Sequence, residues 1–495
     1  MKQSSLKVPL EPLAEHKNGE NGYHPLDPRT ELLRQGWNGF GSREIQCDIL
    51  VEHDFCIPVR EGCNLYGDVY RPPAVDAKVP AILCWSPFGK KLNGLDSLKL
   101  MTPWNLGIQD GALSGLEKFE APDPTDWVPR GYAIVNVDSR GSFKSEGIMA
   151  IMRTQEAEDG YDTVDSKVGL AGNSHLAIIQ WVIAALQTPS LQAIAPWEGC
   201  EDLYREQFVR GGIYGGDLFY KLIKRYMLRG RNGLEIFRKM FEEHPLTNDW
   251  WQDKRPDMTK IRVSTYITGT WTNTMHRVGA IRGWIEIDEP QKWLRFHPWR
   301  ECLPLENVIV EDFPVSKTQY RKAFLHPDGE LSFDTLPKEA QYASYNSQIP
   351  QDFVSFRYTF GMKMSILGMS KAMLHMSCPD HDDMDIFVLL RKLSATGDAM
   401  LALNIPWKGI PISTISEIPE DKQTEKISPG KVTRLEIGIW ATGIEFEKGE
   451  SIQFQICGHY QGISNFGTSN HVQNKGIHFV HFGGEYDSNI VLPFN

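Results

Sequence analysis

The chain has no Cys-x-x-Cys pair: its eight cysteines, Cys47, Cys56, Cys63, Cys84, Cys200, Cys302, Cys378 and Cys457, are scattered. That spacing argues against a zinc ribbon or a disulfide framework and predicts reduced thiols, no metal and a cytoplasmic location. No window reaches the roughly 18 uninterrupted apolar residues of a membrane span, and the stretch from Met1 to Leu10 lacks an apolar run of signal-peptide length, so no membrane partner is expected. Basic residues are in the minority, 52 Lys and Arg against 63 Asp and Glu for a formal net charge of -11, and they form no run. Nucleic acid is therefore a poor partner. Internal repeats and low-complexity tracts are lacking as well. What remains is 495 residues, 41% of them hydrophobic, enough for two or three cores at about 150 residues each. The expectation is a globular protein working on a small molecule without a cofactor; a homo-oligomer is compatible with this composition.

Residues 1–44, punctuated by Pro9, Pro12, Pro25 and Pro28, read as an irregular arm. From Ile45 onward β-rich runs alternate with helical patterns. Phe55–Val59, Leu65–Tyr70, Ala81–Trp85 and Tyr132–Val137 read as strands, Thr154–Val164 as a helix, and Ser264–Thr268 and Lys292–Phe296 as later strands. Strand and helix in alternation predict a mostly parallel sheet. Between them, about residues 201–260 form a helix-prone insert, which reads as a subdomain with its own small core and as a cap over an active site. Beyond Asn307 the pattern changes to short alternating runs such as Asp385–Leu390, Thr433–Trp440 and Ser451–Cys457, the signature of an all-β sandwich. The expected domains are thus an arm (1–44), an α/β domain (45–306) and a β-sandwich (307–495).

One stretch carries chemistry. Lys167–Ala177, Lys-Val-Gly-Leu-Ala-Gly-Asn-Ser-His-Leu-Ala, is a short apolar run that breaks at Gly172 and continues into the helix-like Ile178–Leu186. A strand turning sharply into a helix lifts one side chain, here Ser174, out at the carboxyl edge of a sheet. The backbone N–H of His175 and the helix N-terminus then point at any oxyanion formed on a carbonyl that Ser174 attacks. Such a placement suits acyl transfer, although small-residue tripeptides also recur by chance in a chain with 43 glycines.

Several longer segments accompany the elbow: Leu65-Tyr-Gly-Asp-Val-Tyr-Arg-Pro-Pro73, Trp85-Ser-Pro-Phe-Gly-Lys90, Gly131–Gly141 with Ser145-Glu-Gly147, Glu158–Thr163, Ala193-Ile-Ala-Pro-Trp-Glu-Gly199 and the tail Phe482–Phe494. Together they resemble the cocaine-esterase and X-prolyl dipeptidyl aminopeptidase family of serine hydrolases, most of all its fungal intracellular members and also its bacterial ones, over nearly the whole chain from Cys47. The resemblance implies an α/β fold: an α/β-hydrolase core with a helical cap, followed by a carboxyl-terminal all-β jelly-roll sandwich. It also implies Ser174 as nucleophile, a histidine as base, an aspartate orienting that histidine, and a tyrosine hydroxyl helping the His175 N–H to hold the oxyanion.

The remaining positions depart from that pattern. The family tyrosine falls on Phe88, which has no hydroxyl to donate, and Phe88, Trp85 and His175 are read as oxyanion and pocket residues. The acid position falls on Asn273, which can hold an imidazole but cannot stabilise an imidazolium by charge; in a Ser-His-Asp triad that exchange costs about 10⁴-fold. His297, directly ending the strand Lys292–Phe296, is preferred as base over Glu301, which aligns with the family histidine, and over His276. Two connections look short against the family, one between Asp165 and Lys167 and one after His297. The leading expectation is a serine hydrolase of a small acyl ester, amide or thioester, with a secondary-metabolism acyl transferase or cyclase as a close variant. Its rival is a catalytically degraded relative that binds a ligand or partner. Dipeptidyl peptidase activity would need a carboxylate cluster for a substrate amine; Glu198, Glu201 and Asp202 could supply one, although acidic residues at a cap boundary are usually solvated.

Overall fold

The computed structural model describes residues 6–73, 78–100, 110–164, 167–271, 276–297, 309–405, 408–411, 413–417, 426–459 and 472–495. They fall into two compact units, one of Met1–Leu203, Phe219–Gly269 and Gly279–His297, the other of Tyr204–Leu218, Thr270–Val278 and Pro298–Asn495. Among the described residues no helix is long and apolar enough to cross a membrane.

The first unit is built on a nine-stranded sheet. Its strands are β1 (Arg29–Leu33), β2 (Ile49–Val59), β3 (Cys63–Arg71), β4 (Ala81–Ser86), β5 (Ala133–Asp138), β6 (Val168–Asn173), β7 (Leu191–Trp197), β8 (Ser264–Thr270) and β9 (Lys292–His297), in the spatial order β9-β8-β7-β6-β4-β5-β3-β2-β1. The pairs β4/β5, β4/β6, β6/β7 and β7/β8 are parallel, while β1, β2 and β3 join antiparallel at one side. Central strands are apolar along their length, as strands covered on both faces must be: Leu83, Val137, Leu170 and Ile194 are all buried. The chain order doubles back where β6 adds beside β4, on the side opposite β5, and in open α/β sheets a site forms beyond the carboxyl ends of strands at such a reversal.

Helices α1 (Thr154–Thr163), α2 (His175–Ala185) and α3 (Arg277–Glu286) flank the central strands. Every residue of α2 is buried, because its sequence, His-Leu-Ala-Ile-Ile-Gln-Trp-Val-Ile-Ala-Ala, is apolar around its whole circumference rather than on one stripe. The arm read as irregular contributes two strands. Arg29–Leu33 extends the sheet as β1, and Leu10–Pro12 pairs antiparallel with Gly233–Glu235. Ladder hydrogen bonds to a neighbouring edge order this proline-punctuated segment, which local propensity alone leaves open.

The insert between β7 and β8 is helical in pieces, with helices Asp217–Tyr226, Phe237–Glu243 and Asp249–Gln252. Phe237 packs edge-on against Trp250 at 5.1 Å and near Trp251 at 5.8 Å. The buried Lys254 ammonium lies 4.6 Å from the Trp250 ring and donates to Glu235. The second unit is β-rich and antiparallel. Its long strands Met364–Ser377 and Thr433–Phe446 pair side by side, with Ala372, Leu374 and Met376 pointing alternately inward to a separate core.

Candidate active site

Ser174 follows β6 with φ 57° and ψ −117° and stands directly before α2. A left-handed φ on a non-glycine residue costs of order 1–3 kcal/mol and persists only where its surroundings enforce it. Those surroundings are visible. A Cβ on Gly172, whose φ is +142°, would meet Leu176 Cβ at 2.6 Å. A Cβ on Gly199 would meet Ala177 Cβ at 2.8 Å, and one on Gly279 would meet the Gly199 carbonyl oxygen at 2.2 Å. The small residues of Gly172-x-Ser174-x-x-Ala177 are thus required by close approach: strand, helix start and the turn after β7 press together around the serine. Ser174 N–H donates to the Trp197 carbonyl at 3.1 Å, and the first N–H groups of α2, including that of His175, have no intrahelical acceptor. Ser174 is half-buried.

Parallel register sets its neighbours. Asn173 pairs with Trp197 and Thr268 pairs with Trp197, so the residues just past β6, β7 and β8 share one sheet edge. Glu198 is the residue past β7. Its N–H donates to the Thr268 carbonyl at 3.0 Å, its φ is 54°, and it is 2% exposed. At the end of β9, His297 brings Nε2 to 3.2 Å from Glu198 Oε1, a charge contact without hydrogen-bond alignment. His297 Nδ1 is buried and has no hydrogen-bond partner among the described residues. Asn273 and Glu301, as well as both connections expected to be short, fall outside the described residues; His276 is buried immediately before α3.

The other expected pocket residues form a layer tied to a carboxylate that sequence reading did not single out. His175 Nε2 lies 2.9 Å from Glu156 Oε1, Trp85 Nε1 donates to the same oxygen at 3.1 Å, and the Met152 N–H donates to Oε2 at 2.6 Å. Phe88 stands edge-on to His175 and to Phe119, with ring centroids 5.5 and 5.9 Å apart. Glu156, Trp85, Phe88 and His175 are each under 5% exposed. No pattern separates Glu156 from Glu158 two residues on, whose side chain is 37% exposed; only the packing of α1 distinguishes them.

The acidic run after β7 is not solvated, contrary to the expectation for a cap boundary. Glu201 and Asp202 are buried, with Arg255 2.6 Å from Glu201 and 3.7 Å from Asp202, and Arg282 3.4 and 3.9 Å from the same two. Burial raises the Glu201 carboxyl against the pull of these arginines. A second buried charge group lies under the Ser86–Lys90 turn. Lys90 donates to Asp54 and, at 2.8 Å, to Asp68, while Lys118 donates to the Ser86 carbonyl at 2.9 Å. Burial pushes the Lys118 ammonium down to about 8 and the Asp138 carboxyl up to about 6. Among the described residues no three His, Cys, Asp or Glu side chains converge as a metal site.

Comparison with known proteins adds family context to this geometry. Residues 61–232 match the family described as X-Pro dipeptidyl-peptidase (S15 family), and residues 300–491 match the X-Pro dipeptidyl-peptidase C-terminal non-catalytic domain. Cocaine esterase of Rhodococcus sp. (strain MB1 Bresler) is 31% identical over 164 residues, 31% of this chain; the match spans only a quarter (25%) of that relative's length. A CocE/NonD family hydrolase from Staphylococcus aureus superposes with a TM-score of 0.82 at 24% identity, covering 99% of both chains. An aminopeptidase from a marine-sediment Thaumarchaeota archaeon (TM-score 0.67, 13% identity, covering 100% of this chain and 99% of that one) and an α-amino acid ester hydrolase (TM-score 0.65, 13% identity, 90% and 97%) share the architecture. The fold is therefore that of the CocE/NonD hydrolases, an α/β-hydrolase-like core with a β-rich C-terminal domain.

Proposed function

We propose that this chain, whose two matched segments tie it to the X-Pro dipeptidyl-peptidase family of serine hydrolases, cleaves an ester, amide or thioester of a small acyl compound through an acyl-enzyme on Ser174. The observation that carries the reading is the strained left-handed backbone of Ser174, between a parallel strand and a helix N-terminus. Ser174 Oγ attacks the carbonyl carbon, His297 accepts the hydroxyl proton and returns it to the leaving group, and water resolves the acyl-enzyme by the same route. The His175 N–H, aided by the N-terminal dipole of α2, holds the oxyanion. Phe88 offers no second hydroxyl donor, and one missing donor typically costs about 10²- to 10³-fold in rate, so a slow enzyme is expected. A cytoplasmic location is part of the proposal, on the scattered spacing of the cysteines along the chain. An acyl acceptor other than water, as in secondary metabolism, uses the same steps.

A fluorophosphonate probe tests the proposal. Stoichiometric modification at Ser174, lost in Ser174→Ala, is the expected result. Silence of the native protein under conditions that label a related active hydrolase would refute it and favour a binding protein on a hydrolase fold, the reading to which the phenyl ring at position 88 lends support.

A further inference from the structure

We infer that Glu198 is the acid of this site, a positioning residue that holds His297 and faces the charge His297 acquires; the inference rests on the acyl-enzyme reading above. Family resemblance puts that role three residues past β8, on Asn273, which carries no charge. The sheet offers a second position at the same edge, the residue past β7, next to the nucleophile strand. A carboxylate stands there, 3.2 Å from the His297 ring.

Two features separate Glu198 from an ordinary surface acid. It is 2% exposed, and a buried carboxylate is unfavourable unless something nearby compensates it. Its N–H is anchored on the Thr268 carbonyl at 3.0 Å, which fixes its backbone at the edge where β7 and β8 end. Among the described residues Glu201 and Asp202 face Arg255 and Arg282, and Glu198 faces the histidine that ends β9.

The contact also assigns the ring. A carboxylate 3.2 Å from Nε2 favours by charge a proton on that nitrogen and leaves Nδ1 as the lone pair. Nδ1 is the nitrogen without a hydrogen-bond partner among the described residues. In the first step the Ser174 O–H bond breaks and its proton goes to Nδ1. Oγ bonds to the carbonyl carbon, and the carbonyl π pair moves onto its oxygen. The imidazolium so formed has Glu198 beside it.

Two measurements on the full-length protein test this. With selectively ¹⁵N-labelled histidine, and His297→Asn to assign its signals, the native resting protein is expected to carry the Nε2–H tautomer at His297; an Nδ1–H tautomer overturns the inference, whatever the variants do. In turnover of an activated ester, Glu198→Gln is expected to lower kcat by up to about 10⁴-fold, the cost of exchanging the carboxylate for an amide in a serine triad. KM should stay within about threefold, and Glu198→Asp should recover at least about tenfold of the loss, a rescue that restored charge provides and a merely structural side chain does not. A Gln variant within twofold of the native rate overturns it, as does a loss carried by KM alone. So does a tenfold or greater gain in kcat in Asn273→Asp, which would put the acid past β8. If the native protein neither labels nor turns over, the hydrolase reading fails, and the tautomer still decides the His297–Glu198 pairing separately.

Discussion

Replacing Ser174 by alanine and, separately, by glycine divides its chemistry from its backbone. Both variants lose the nucleophile and should lose all fluorophosphonate labelling. Their stabilities should differ, because alanine keeps a Cβ in the conformation φ 57°, ψ −117°, where it collides with the local backbone, and glycine does not. Relief of that strain is of order 1–3 kcal/mol, while the greater freedom of an unfolded chain with one more glycine opposes it by about 0.4–1 kcal/mol. Ser174→Gly should therefore exceed Ser174→Ala by about 1 kcal/mol, or about 2 °C in Tm at the entropy of unfolding of a domain of this order. Scanning calorimetry compares the two, transition by transition, since two units need not melt together. A glycine variant no more stable than the alanine variant would mean that the turn at Ser174 is unstrained and is no nucleophile elbow.

Other expectations follow from buried polar groups. Glu156→Ala leaves the Trp85 and His175 rings and the Met152 N–H without their acceptor; at about 1–3 kcal/mol per orphaned buried group it should cost about 3 kcal/mol or more, and a loss under about 1 kcal/mol in urea titration would show that the layer is not held through Glu156. Gly172→Ala forces a Cβ to 2.6 Å from Leu176 Cβ at a φ of +142°; overpacking and strain together should destabilise by about 2 kcal/mol or more, and a neutral effect on the denaturation midpoint would contradict the close approach. In the β-rich unit, burial pushes the His478 imidazole, which meets the Tyr345 hydroxyl at 3.0 Å, down to about 4. Because the unfolded chain then binds more protons between about pH 4 and 6.5, stability is full above 6.5 and falls as the pH drops through this window. Between pH 7 and 5 His478→Gln should lose about 2 kcal/mol less than the native chain; parallel pH dependences in the two proteins would refute the assignment.

Much of this protein was legible in order along the chain. Alternating apolar strands and helical patterns gave the α/β core, the apolar run around Gly172 gave the elbow, and the turn-limited runs beyond residue 307 gave the β-rich unit, because each depends on local periodicity and on glycine where a Cβ does not fit. The arm was misread as irregular since an added edge strand such as β1 is held by the neighbour it pairs with, a partner absent from its own residues. The acidic run after β7 was misread as solvated for a related reason: Arg255 and Arg282, which meet Glu201 and Asp202, lie 54 and 81 residues further on.

Sequence by itself determined which side chain is lifted at the elbow and which strand ends in a histidine, since strand, turn and helix are contiguous there and backbone geometry follows from the residues themselves. Tertiary structure alone decided what faces them. Glu156 beneath His175 and Glu198 beside His297 come from separate segments of the chain, and only the parallel register of the sheet and the docking of α1 bring those carboxylates within reach. Coulombic and hydrogen-bonding interactions act over a few ångströms of space, and separation along a sequence carries no measure of that distance.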